Sequence, residues 1–261
     1  MCIAAVIRNY NEKYPLIICH NRDEFHKREA EPLKQLECGV YAGIDFNSGG
    51  YWLSLTGNSI KPYFAAVLNY RNMSLKNEDK ESRGILVKEL SGLKVLEEAK
   101  EHYKKNYKRF SRHSIIICNE DDIFAFSSED QKKLSRIEKE KEIVCFSNGL
   151  ISESWPKQKR LEKLVTENVT RFENSHQNIA NNLFEVLADQ KKANLSELPN
   201  TFVGEPTEEL LSSICIQSSA YGTRSSTVIL WEKDKIHLYD RNFDYKRNLI
   251  DQSYSEIKKP A

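Results

Sequence analysis

Cys2, Arg22, Asp23 and Glu24 are the first residues of this chain whose types could do chemistry together. They stand at the two ends of MCIAAVIRNYNEKYPLIICHNRDEF. Ile3 to Ile7 and Leu16 to Cys19 are apolar and rich in β-branched residues, and the polar stretch from Arg8 to Pro15 suits a connection. Folded as an antiparallel hairpin, residue i faces roughly residue 25 − i, so Cys2 is expected beside Asp23, give or take one residue for a bulge. Met1 is expected to be removed, because a small residue follows it. Cys2 then carries a thiol and a free α-amine, whose pKa near ~8 lets it take the thiol proton. One terminal residue acting as nucleophile and base is an established arrangement. Arg22 would favour the thiolate, and Asp23 could hold the amine. The plainer alternative makes Cys2 a small apolar strand starter and Arg22 with Asp23 an ion pair at a strand end.

Three more polar residues stand where strands begin or end. Asn69 closes the apolar run Tyr63 to Leu68, Asn148 closes Ile143 to Ser147, and Arg224 precedes Ser226 to Trp231. Asparagine amides beside a thiolate can serve as oxyanion donors, each worth on the order of 3 kcal/mol in rate. Taken singly, each reads equally as a turn residue or strand terminator.

The elements that must position these residues fall into blocks. Short strands are expected at Gly39 to Ala42, Tyr51 to Leu55 and Tyr63 to Leu68. A helical region runs from Ser82 to Phe110, with Ser82 as its cap. Strands return at His113 to Cys118, Ile123 to Phe126 and Ile143 to Phe146. A second helical region begins near Trp155-Pro156 and continues with breaks to about Gln190. After an irregular stretch from Pro199 to Pro206, strands are expected at Ser213 to Ser218, Ser226 to Trp231 and Ile236 to Tyr239, with a polar tail fraying from about residue 250. Strands joined directly to strands, with helices grouped, argue for an α+β fold of antiparallel sheets covered by helical layers rather than a βαβ array. One domain spanning residues 1–261 is expected, since no linker or internal repeat interrupts the chain.

Composition narrows the function classes. The 39 basic and 38 acidic residues leave a net charge of +1, so no global field attracts nucleic acid. No run approaches the ~18 apolar residues of a membrane span. No secretory signal is apparent, and the six cysteines show no C-x-x-C pair or zinc spacing, so reduced thiols in the cytoplasm are expected. Neither a G-x-G-x-x-G nor a P-loop is present.

The ordered set of motifs resembles the NRDE family, also called the Transport and Golgi organisation 2 family. It comprises the Met-Cys start, NRDEF, Ala42-Gly43-Ile44-Asp45 through Gly49-Gly50-Tyr51-Trp52, NYR at 69 to 71, SRG at 82 to 84, SN…WPK from 147 to 157, and YGTRSSTV at 221 to 228. Tyr51 departs from the smaller residue that often follows the double glycine. The resemblance implies an N-terminal-nucleophile (Ntn) hydrolase-like fold, a four-layer αββα sandwich. It also implies that Cys2, Arg22, Asp23, Asn69, Asn148 and Arg224 are similar to the catalytic constellation of cysteine Ntn amidases of the penicillin V acylase and bile-salt hydrolase type. Asn21, Glu24, Tyr70 and Arg71 are the matching ligand-binding expectation.

Two functions follow from the resemblance and stay open at this point. One is hydrolysis of an amide or thioester of a small hydrophobic acyl substrate. The other is non-catalytic haem or acyl-CoA binding and trafficking, in which haem is a ligand and no cofactor is required. His20 is the histidine nearest the expected pocket, and no C-x-x-C-H attachment motif exists for haem.

Overall fold

The computed structural model describes residues 2–57, 59, 61–76, 79–130, 135–138, 142–169 and 175–259; Met1, whose removal is expected, lies outside them. The chain opens with strands β1 (Cys2–Arg8), β2 (Leu16–Phe25), β3 (Ala30–Gln35), β4 (Val40–Asp45), β5 (Gly50–Thr56) and β6 (Phe64–Asn69). Helices α1 (Arg83–Ser91) and α2 (Leu96–Asn106) follow, then β7 (His113–Cys118), β8 (Ile123–Ser127), β9 (Ser135–Arg136) and β10 (Ile143–Phe146). Helices α3 (Pro156–Val169), α4 (His176–Leu187) and α5 (Glu205–Leu210) lead to β11 (Tyr221–Trp231), β12 (Lys235–Phe243) and β13 (Leu249–Lys258).

These strands form two sheets, a six-stranded one in the order β10-β1-β2-β11-β12-β13 and a seven-stranded one running β3 to β9 in sequence order. All their pairings are antiparallel. Side-chain alternation builds the layers. Ala4, Val6, Leu16 and Ile18 meet Phe64, Ala66 and Leu68 between the sheets. Their odd-numbered neighbours Ile3, Ala5, Ile7 and Ile17 pack outward on Leu161, Val165, Ile179 and Leu183 of α3 and α4. On the far side, Tyr63, Ala65 and Val67 pack on Leu86 and Leu90 of α1 and Ala99 and Tyr103 of α2. Each central strand is covered on both faces, which is why it reads as an unbroken apolar run. The four-layer αββα sandwich expected from the resemblance is the architecture observed. No helix among the described residues is long and apolar enough to cross a membrane.

Several local expectations are corrected. The opening hairpin is tighter by one residue, so Cys2 pairs with Arg22, not Asp23. The connection sets this register: Asn9 turns at positive φ, and the Asn11 side chain accepts from the Lys13 and Tyr14 amides. NRDEF is the end of β2 itself, because β1 and β11 pair with it on either side. Residues 213–218 are not a strand. Cys215 N–H donates to the Asp189 carbonyl and Ile216 N–H to Thr223 Oγ1, so donors that a ladder would use go elsewhere. The segment expected to fray from about 250 forms the edge strand β13, paired along β12. Strand β3 and helix α5 have no counterpart in the sequence reading.

His20 and His113 are 1% and 0% exposed. Burial lowers their pKa values to about 3 and about 4 from an ordinary 6.5. Both are therefore neutral in the fold, while the unfolded chain takes up protons below about pH 6.5. Stability is complete above that pH and falls as the pH drops toward 4.5. Melting temperatures measured across this window should decline, and His113→Asn should flatten the slope. A level profile from pH 7 to 4.5 would refute this assignment.

Candidate active site

Cys2 begins β1 and shares its inward face with Ala4 and Val6, and the residue is 6% exposed. Across the ladder, Arg22 is in phase with Leu16 and Ile18 and so shares that face. Asp23 is in phase with Ile17 and Cys19, so its side chain turns to the helix-covered side. There its Oδ1 accepts from Thr223 Oγ1 at 2.7 Å. β10 runs antiparallel to β1, with Ala4 opposite Phe146. Asn148 follows two residues beyond the end of that ladder. The Asn148 amide nitrogen donates to the Asn69 carbonyl at 2.9 Å, tying the end of β6 to the same corner. Strand ends from both sheets thus converge where β1 starts.

The sequence motifs have physical reasons here. Arg22 donates to Asp45 Oδ2 at 3.0 Å, and its guanidinium carbon lies 4.4 Å from the Trp52 ring centroid. Arg28 also clasps Asp45, at 2.6 and 3.0 Å. Burial would raise the Asp45 carboxyl, yet the bonds and charges of Arg28 and Arg22 hold it below the usual carboxylate range. A Cβ on Gly43 would fall 1.9 Å from the Trp52 ring, so glycine is what lets the indole lie under Arg22. A Cβ on Gly50 would fall 2.2 Å from the Gly84 backbone, so the double-glycine and SRG motifs meet as a close approach of β5 to α1. Ser82 caps α1 through the Gly84 amide, which places Arg83 beside Cys2.

A cavity of about 270 Å³ is lined by Cys2, Arg22, Asp23, Glu24, Asn69 and Arg83 among others. A larger one of about 670 Å³ shares Glu24, Phe25, Asn69 and Arg83 with it and adds Tyr70 and Arg71. Apolar side chains of Met73, Val203, Leu210 and Leu211 line the larger space, together with the basic groups of Lys80 and Arg112. The two cavities are adjoining parts of one cleft.

Seven of the ten residues singled out from the sequence line this cleft, and three do not. Asn148 stands just behind it, held by the Asn69 carbonyl and by Lys157 Nζ, which donates to its Oδ1 at 3.0 Å. Asn21 donates to the Leu187 and Ile214 carbonyls at 2.9 and 3.0 Å, anchoring the end of α4 on the sheet. Arg224 is the extra residue of a β-bulge, since Thr223 pairs with Asp23 while Ser225 pairs with Arg22. The bulge aims its guanidinium at the Phe25, His26 and Arg28 carbonyls, where it braces the turn into β3.

Sequence reasoning missed Asp45, Trp52, Arg83 and Lys157 as site residues, although each stands inside a quoted motif. The signal at Lys157 was a lysine directly after Trp155-Pro156, at the end of a helix where a cation is least favoured.

A family model describing Transport and Golgi organisation 2 matches residues 1–245. The chain belongs to the Transport and Golgi organisation 2 family. The match takes in every motif that meets at the cleft, from Cys2 to the YGTRSSTV strand. No curated protein matches the sequence.

In this Transport and Golgi organisation 2 protein the thiol is not ready-made as a thiolate. Burial pushes the Cys2 thiol up, and the Asp23 charge adds to this, with the terminal ammonium and Arg22 opposing. Burial likewise raises the Asp23 carboxyl, opposed by Lys157 and the Thr223 bond. A nucleophilic Cys2 therefore needs a base at hand.

Proposed function

We propose that the protein hydrolyses an amide or thioester of a small hydrophobic acyl group, with Cys2 as nucleophile. The observation that carries this reading is the Cys2 thiol facing a cleft beside Arg22, Asn69 and Arg83, which opens directly into a partly apolar cavity large enough for an acyl chain. After Met1 is removed, the Cys2 α-amine takes the thiol proton and Sγ attacks the carbonyl carbon. Asn69, the strand-end asparagine that lines the cleft, is the group suited to the oxyanion. The amine's proton goes to the departing nitrogen or sulfur as the tetrahedral adduct collapses. Water, deprotonated by the same amine, then cleaves the acyl-enzyme and releases the carboxylic acid. Lys80 and Arg112 suit a substrate whose polar end is anionic.

A second reading, carriage without turnover, is favoured by a different observation. The larger cavity is lined without Cys2, so a ligand such as an acyl-CoA or haem could seat there, with anionic groups toward Lys80 and Arg112, and never meet the thiol.

Purified protein decides between them. Intact mass should show a chain lacking Met1, and incubation with a medium-chain acyl thioester should release the free acid catalytically. Retention of Met1 in the main species, or stoichiometric binding without acid release, would leave only the carrier reading.

A further inference from the structure

Lys157 is 2% exposed and among the largest fully buried side chains of the molecule. It is the second residue of α3, so its charge also sits at the positive end of a helix dipole. A methionine or leucine would fill that volume without either penalty. Its Nζ donates to Asn148 Oδ1 at 3.0 Å. An ammonium has donors only, so this bond assigns the Asn148 amide: oxygen toward Lys157, nitrogen toward the Asn69 carbonyl. Asp23, Arg71, Cys2 and Glu208 are the charged or titratable groups that act on Lys157. Arg22, Asp23, Arg83 and Tyr221 act in turn on the Cys2 thiol, together with the amino terminus of the chain.

We infer that Lys157 is a positioning residue of the Cys2 site: its buried ammonium orients the Asn148 amide and supplies positive charge that favours loss of the Cys2 proton. Burial brings its amine down to about 8, against the pull of Asp23, so it is an ammonium at neutral pH. A cation there disfavours a second ammonium on Cys2 and favours a thiolate. Both effects move the reactive form of Cys2 to lower pH. The catalytic role of this arrangement rests on the hydrolase reading, whereas the electrostatic effect does not.

The test therefore reads the thiol directly. Iodoacetamide alkylation of Cys2 would be followed by peptide mass spectrometry from pH 5 to 10, with exposed Cys38 as internal reference. In Lys157→Met and Lys157→Gln, alkylation at pH 7, where Lys157 carries its proton, should slow by about tenfold. Lys157→Arg, which keeps the charge, should stay close to the native rate at that pH. If Lys157→Met does not fold, the Gln and Arg variants decide between charge and packing. Equal rates at pH 7 in those two, or a native rate in Lys157→Met, would overturn the inference and make Lys157 a packing residue. A slowed alkylation in a protein that shows no turnover would uphold the inference while sinking the hydrolase.

Discussion

Cys2→Ala will lower acyl thioester hydrolysis by roughly a thousandfold or more, while the protein stays folded and still binds the substrate. A nucleophile and the amine that activates it act as one unit, so removing the thiol removes nearly all of their joint contribution. The structural cost is small. The thiol is one heavy atom at the rim of the inter-sheet core, and its loss costs on the order of 1 kcal/mol by analogy with a deleted methylene. The substitution leaves the larger cavity intact, since its lining does not include Cys2. Turnover and affinity should therefore separate, with kcat collapsing and the dissociation constant nearly unchanged. Equal turnover in Cys2→Ala and native protein would end the case for catalysis by this residue. A joint loss of turnover and binding, with a lowered melting temperature, would show that the thiol serves packing.

Glu208→Ala should carry the largest stability loss of any single substitution near the cleft, about 3–5 kcal/mol. Glu208 pairs with Arg71 at 2.6 Å, with both side chains 5% exposed. Its other carboxylate oxygen accepts from the Thr201 amide at 2.7 Å. The Arg71 guanidinium also lies 4.7 Å from the ring centroid of Trp155, the residue just before α3. Removing Glu208 leaves a buried guanidinium without its counter-charge and loosens α5, whose Thr207 and Leu210 line the larger cavity. Urea denaturation should show a lower midpoint, and ligand affinity should fall with it. Arg71→Met combined with Glu208→Met should recover much of the loss, because a buried pair replaced as a pair leaves no orphan charge. If Glu208→Ala costs less than about 1 kcal/mol, the pair is solvated in solution and the cleft is more open than described.

Part of this protein was determined by the sequence alone. Strands such as Ile3 to Ile7, Tyr63 to Leu68 and His113 to Cys118 were legible because both of their faces are buried, so period and composition agree over their whole length. The layered α+β architecture followed from how strands and helices are grouped. The motifs named Cys2, Arg22, Asp23, Glu24, Asn69, Tyr70 and Arg71, and those residues do line one cleft. What only the tertiary structure decided is which face each residue takes and what it touches. One residue of register put Arg22 opposite Cys2 and sent Asp23 to the other side of the sheet, because side chains alternate with every step along a strand. One bulged residue turned Arg224 from the cleft to three carbonyls of a turn. Asp45 and Trp52 gained their roles from contacts with Arg22 across the space between the two sheets, at separations in sequence that no local pattern encodes. Lys157 was readable as an oddity at a helix start. Its burial against Asn148 comes from the packing of α3 on β10, a long-range contact that spacing along the chain does not contain.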